Sequence, residues 1–241
     1  MDERRHDIHT AGIPVLCQSC EARHRGMCGV LTPDELVTLA KSTRKAHHRP
    51  GEELIGEGTP IDSYANVMKG VVALRKGLED GREQIVGLQF APDFVGRLFT
   101  AESAISAEAA SDVELCVVPR PAFERMIADT PALEHRLMQQ SLRELDEARD
   151  WMVTLGRKTA GEKIASFLLL VALHAEPGAP DKQAISFDLP LTRGDIADFL
   201  GLTIETVSRQ LSRLKADGVI LLHGLRGVEV PDISRLREMA G

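Results

Sequence analysis

Three of the four cysteines in this 241-residue chain fall within the stretch CQSCEARHRGMC, and the fourth, Cys116, stands far downstream. Cys17 and Cys20, two residues apart, can turn two thiolates toward one centre, and Cys28 returns after a loop of seven residues containing Gly26. Four thiolates are what a [4Fe–4S] cluster requires, and tetrahedral zinc accepts the same set. In a reducing compartment such thiols read as metal or redox ligands more readily than as disulfides. Cys116, at the end of an apolar strand, also has a plain reading as a small buried hydrophobe. His9 and His24 are near enough to substitute as ligands, although histidine in such places is usually a surface residue.

A second chemistry lies in LTRGDIADFLGLTIETVSRQLSRLKADGVILLHGLRGVEV. Thr192 can cap a helix with Asp195 three residues on, Gly201 ends it, and Thr203 caps the next, which is helix-turn-helix spacing. On the second helix Val207, Leu211 and Leu214 share an inward face. Glu205, Ser208 and Arg209 share another near the helix start, where a docked helix meets base edges, and Thr203 and Thr206 belong to the same turn. Arginine donates twice to guanine, glutamate accepts from the cytosine amino group, and serine serves either role. Arg213, Lys215 and Arg226 are placed for phosphates. Alone, Glu205 and Arg209 could be an ordinary surface ion pair; the preceding turn and the hairpin that follows favour DNA contact.

These residues need elements to hold them. From about 46 to 118 glycine recurs between short apolar runs such as Val71 to Leu74 and Val113 to Val117, which predicts a small antiparallel β-roll. The stretch from Ala132 to Leu155 lacks proline and has glycine nowhere inside it. There Met138, Ser141, Leu145, Ala148, Met152 and Leu155 follow an a/d spacing, which suggests a dimer seam, the alternative being a helix packed on its own β domain. The length predicts two domains. The partition is a cysteine-rich arm over 1–30, a β-roll over 31–130, a dimerisation helix over 131–157 and a winged helix-turn-helix over 158–241.

Charge is uneven: residues 157–241 balance eleven Lys and Arg against eleven Asp and Glu, so the whole net charge of −7 sits before them. The first residues, MDERRHDIHTAG, are charged, and the longest apolar run, IASFLLLVAL, is too short to cross a bilayer, so a cytoplasmic protein without a membrane partner is expected. No nucleophile, base and orienter group together, so an enzyme is not expected.

The glycine-patterned roll, the long helix and the winged helix-turn-helix bearing IETVSRQLSRL together resemble the cyclic-AMP receptor protein and FNR (fumarate and nitrate reduction regulator) superfamily of transcription factors, from about Cys17 to Val230. The resemblance implies an α+β chain: a cyclic-nucleotide-binding-like β-roll, a long dimerisation helix and a C-terminal winged helix-turn-helix. Glu205, Ser208 and Arg209 are similar to the set of the FNR branch, which reads TTGAT half-sites. The cyclic-AMP branch has an arginine before the glutamate and a glycine after it, where this chain has Ile204 and Ser208. Its nucleotide pocket also needs a basic residue that the segment after Gly96-Arg97-Leu98, SAISAEAASD, does not contain, so no cyclic nucleotide is expected.

Within the FNR branch, three N-terminal cysteines and one from the roll hold an oxygen-sensing [4Fe–4S] cluster, which the resemblance carries onto Cys17, Cys20, Cys28 and Cys116. The implied protein is a homodimer with promoter DNA and RNA polymerase as partners. Its cluster orders the arm against the roll and the helix at low oxygen, and DNA is released when oxygen destroys it. A zinc-binding or thiol-redox DNA-binding protein of the same fold is the alternative. One departure matters. The family places an aspartate in the seam, whose repulsion keeps the clusterless form monomeric, and register from Ala160 and Glu162 puts Ala148 there. Dimerisation less dependent on the cluster is expected.

Overall fold

The structure is a computed structural model that describes residues 13–18, 20–176 and 184–241. Its contacts divide the chain into two compact units, Met1–Val72 with Gln89–Glu144, and Ala73–Leu88 with Leu145–Gly241.

The first unit opens with two single-turn helices, α1 (Val15–Gln18) and α2 (Glu21–His24), a 3-10 turn at Met27–Val30, and α3 (Pro33–Ser42). Thr32 and Glu35 form a reciprocal cap on α3, satisfying two backbone N–H groups that the first turn leaves free. The strands are β1 (Arg44–His48), β2 (Glu53–Ile55), β3 (Ser63–Lys69), β4 (Val71–Gly77), β5 (Glu83–Phe90), β6 (Phe94–Val95), β7 (Ser106–Ala109) and β8 (Val113–Pro119). They form two four-stranded sheets, ordered β1-β8-β3-β6 and β2-β7-β4-β5. Beyond them lie α4 (Arg120–Asp129) and the start of α5 (Pro131–Arg157).

Along β8, Val113, Leu115 and Val117 are buried on one face while Glu114 and Cys116 face the other way, as period-2 alternation requires. A second core gathers the arm and the helices: Met27, Cys28, Leu31, Leu36 and Leu39 pack with Tyr64, Phe94, Phe123, Leu133 and Leu137.

The second unit contains the outer part of the β4–β5 hairpin, the rest of α5, α6 (Ala160–Ala175), β9 (Ile185–Asp188), α7 (Arg193–Leu200), α8 (Ile204–Ala216), β10 (Leu221–His223), β11 (Gly227–Val230) and α9 (Ile233–Ala240). The apolar run of α6 is core: Ile164, Ala165, Phe167, Leu168, Val171 and Ala172 are buried, and the helix packs on α8 and α9. Among the described residues no helix is long and apolar enough to cross a membrane. The wing is a three-stranded sheet ordered β10-β11-β9, so β9 adds a strand to the expected hairpin.

Candidate functional site

Cys116 sits in the middle of β8, opposite Lys45 on β1 and Asn66 on β3, rather than at the strand's end. Its outward face meets the arm. Cys17 lies in α1, and the Cys20 N–H donates to the Cys17 carbonyl at 3.4 Å, a turn that brings both residues to one side. Cys28 lies in the 3-10 turn. All four cysteines are free thiols lining one pocket, whose remaining wall is Arg23, Leu39, Ala40, Thr43, Asn66 and Met68. His24 is exposed and outside that lining, and His9 lies outside the described residues.

The donor set is soft sulfur within an otherwise mostly apolar wall, with one cation, Arg23, to offset the negative charge that thiolates bring. Among the described residues no three His, Cys, Asp or Glu side chains converge tightly enough for a single ion. Four cysteine sulfurs in one lining form a soft donor set of the kind that suits a soft metal centre.

Burial, then the thiols of Cys116, Cys20 and Cys17, holds Cys28 far above a thiol's ordinary range, with a hydrogen bond from Asn66 acting the other way. Burial, then Cys20 and Cys17, pushes Cys116 up to about 11. Cys17 is raised too, by burial and then by Cys20, while Arg23 opposes. These three thiols are therefore protonated at neutral pH, and placing a metal group on them releases protons.

The loop from Cys20 to Cys28 is fastened in two ways. A Cβ on Gly26 would lie 2.8 Å from the Cα of Ala22 and 3.0 Å from the carbonyl of Pro92, so only glycine fits between these backbones. Arg136 of α5 donates to the Gly26 carbonyl at 3.3 Å and to the Arg25 carbonyl. Arg23, Asn66 and Arg136 carry no motif, and the sequence reading passed over them. For Asn66 a signal did exist, in a lone amide within the apolar run YANVM.

In the second unit Thr192 and Asp195 cap α7 reciprocally. Gly201 closes it in the left-handed region at φ 61°, ψ 44°, where a side chain would be strained. Thr203 then accepts from the Thr206 N–H and starts α8. Val207, Leu211 and Leu214 are buried, whereas Glu205, Ser208, Arg209 and Arg213 are exposed. The Arg209 guanidinium donates to Thr206 Oγ1 at 3.3 Å. Arg213 lies 3.8 Å from Asp217, a loose exposed pair that leaves the guanidinium accessible.

Along α5, Met138, Leu145 and Met152 are exposed, and so are Ser141 and Ala148, while Leu155 is half-buried. Leu142 and Val153, absent from the predicted seam, are exposed beside it at 55% and 58%, widening the apolar stripe.

Residues 45–130 match the cyclic nucleotide-binding domain family, and residues 162–239 match the Crp-like helix-turn-helix domain family. A probable transcriptional activator of Rhizobium leguminosarum bv. viciae is 52% identical over 99% of both chains. The transcriptional activator protein FnrL of Cereibacter sphaeroides is 45% identical over 93% of this chain and 92% of its own. The chain belongs to the FNR branch of the cyclic-AMP receptor protein/FNR superfamily. Like those relatives it is a DNA-binding transcriptional activator and not an enzyme. Among solved structures of the superfamily, FixK2 from Bradyrhizobium japonicum superposes with a TM-score of 0.73 at 33% identity, over 83% of this chain and 98% of that one. The α+β architecture expected from sequence is the superfamily's own.

Proposed function

We propose that this protein is an oxygen-responsive FNR-type activator in which Cys17, Cys20, Cys28 and Cys116 hold a [4Fe–4S] cluster. The observation that carries this reading is the shared pocket: three arm thiols and one from the outer face of β8 line it together. When bound, the cluster supplies an oxygen-labile iron–sulfur centre. The chain's own residues supply the rest. The four cysteines would hold that group between the arm and the sheet, Asn66 donates toward the Cys28 sulfur at 3.9 Å, and Arg136 ties the intervening loop to α5.

The exposed stripe on α5 supports a homodimer, since apolar side chains on one helix face lose contact with water when a second copy covers them. A two-fold dimer sets two copies of α8 about one DNA turn apart. Glu205, Ser208 and Arg209 then read TTGAT-type half-sites, while Thr203, Thr206 and Arg213 support them on the backbone. Promoter DNA and cytoplasmic RNA polymerase are the partners of such an activator. A cyclic nucleotide is not a ligand in this reading: Arg97 is exposed, and no basic residue lies between Ser103 and Asp112.

The test is the iron, acid-labile sulfide and zinc content of protein purified without oxygen. About four iron and four sulfide per chain support the cluster. Zinc without sulfide would leave a DNA-binding protein and remove the oxygen sensor.

A further inference from the structure

The second unit holds α7, the first helix of the reading head, at both ends. At its N-terminus Asp195 divides its two oxygens. Oδ2 accepts from the backbone and hydroxyl of Thr192, at 3.1 and 2.6 Å, completing the cap. Oδ1 accepts from Arg75 Nη2 of the β4–β5 hairpin at 2.7 Å. The Arg75 side chain is 12% exposed and that of Asp195 23%, so this pair is shielded from the water that weakens surface ion pairs. Glu83, across the hairpin, lies 3.9 Å from the same guanidinium.

Near the other end, Gln84 of the hairpin donates to the Phe199 carbonyl at 3.1 Å. The Phe199 ring packs on Trp151 of α5 with centroids 4.5 Å apart. Hairpin, α5 and α7 are thus joined at three points, none on the exposed base-reading face of α8. Helix capping needs only Thr192 and Asp195; the additional grip by Arg75 fixes an orientation that the cap alone leaves open.

We propose that Arg75 is a positioning residue for DNA recognition, which with Gln84 locks the helix-turn-helix in one orientation relative to α5 and so sets the half-site spacing that a dimer accepts. The inference rests on the paired-head reading above. A locked head loses little freedom on binding correctly spaced half-sites and cannot reach badly spaced ones, whereas a loosened head binds the right spacing less well and the wrong spacing less badly.

The experiment measures affinity for a single TTGAT half-site and for inverted pairs whose spacer changes one base pair at a time. Wild type should show one favoured spacer. Arg75→Gln, assayed well below its melting temperature so that it is fully folded, should keep its half-site affinity, lose about tenfold at the favoured spacer, and flatten the profile. Asp195→Asn, which retains an oxygen for the cap, should flatten it too, and the double variant should do no worse than either single one. Equal weakening on every duplex, half-site included, or an unchanged profile in Arg75→Gln overturns the proposal. A wild-type protein indifferent to spacing overturns the paired-head reading beneath it.

Discussion

Asn66 on β3 lies directly across the ladder from Cys116 on β8, and its Nδ2 donates to the Sγ of Cys28 at 3.9 Å. One amide therefore touches the environments of the strand thiol and an arm thiol. It is 2% exposed, and among the described residues its Oδ1 has no hydrogen-bond partner, an arrangement that costs stability in a folded chain. Asn66→Leu should leave the iron-free protein at least as stable to heat while lowering its hold on iron about tenfold. Thermal melts of iron-free protein and decay of visible absorbance after air exposure read the two effects separately.

Ala148 is exposed on the stripe of α5 flanked by Leu145 and Met152. With no charge at that position, the protein should sediment as a dimer even after its iron is removed. Ala148→Asp should turn the iron-free form into monomers, and Leu145→Asp should do so in either form. A purely monomeric air-exposed wild type would sink this expectation.

Arg209 stands exposed on the first turns of α8, its guanidinium resting on Thr206 Oγ1. Arg209→Ala should lose about 1–3 kcal/mol on the TTGAT operator and much less on operators already altered at the guanine. Loss of equal size on all sequences, with a shallower salt dependence, would assign Arg209 to a phosphate.

Burial alone would raise the Asp195 carboxyl, but hydrogen bonds from Thr192 and Arg75 outweigh it and hold the group below its usual value. A carboxylate with a depressed folded pKa adds stability that is fully present above its unfolded value of about 3.9 and vanishes as pH falls through the lower folded value. Asp198, raised by burial and then by Asp195, works in the opposite sense. Urea midpoints measured from pH 6 down to pH 3 should fall less steeply for Asp195→Asn than for wild type.

The reading head was legible in the sequence because its signals are local: Thr192, Gly201 and Thr203 each act within a turn of their own position. The strand β1, RKAHH, was not, since a polar edge strand owes its place to pairing with β8 and has no apolar alternation to betray it. Cys116 lay between these cases. Val113, Leu115 and Val117 mark one face of β8, and parity puts Cys116 with Glu114 on the other, so its outward position could have been read before the strand's limits were known. Asn66 and Arg136 reach the thiol loop from distant segments, which spacing within one stretch cannot reveal. The same holds for Arg75, 120 residues from its partner.

Gly26 also works as a fixed mark on a ruler. Wedged between the backbones of Ala22 and Pro92, it cannot shift when residues are gained or lost nearby. His24 and Arg25, just before it, are exposed. An insertion into the seven-residue span would have to bulge outward there, leaving Cys28 where it stands. The span between Cys20 and Cys28 can therefore change in length at His24 and Arg25 without re-aiming the third thiol.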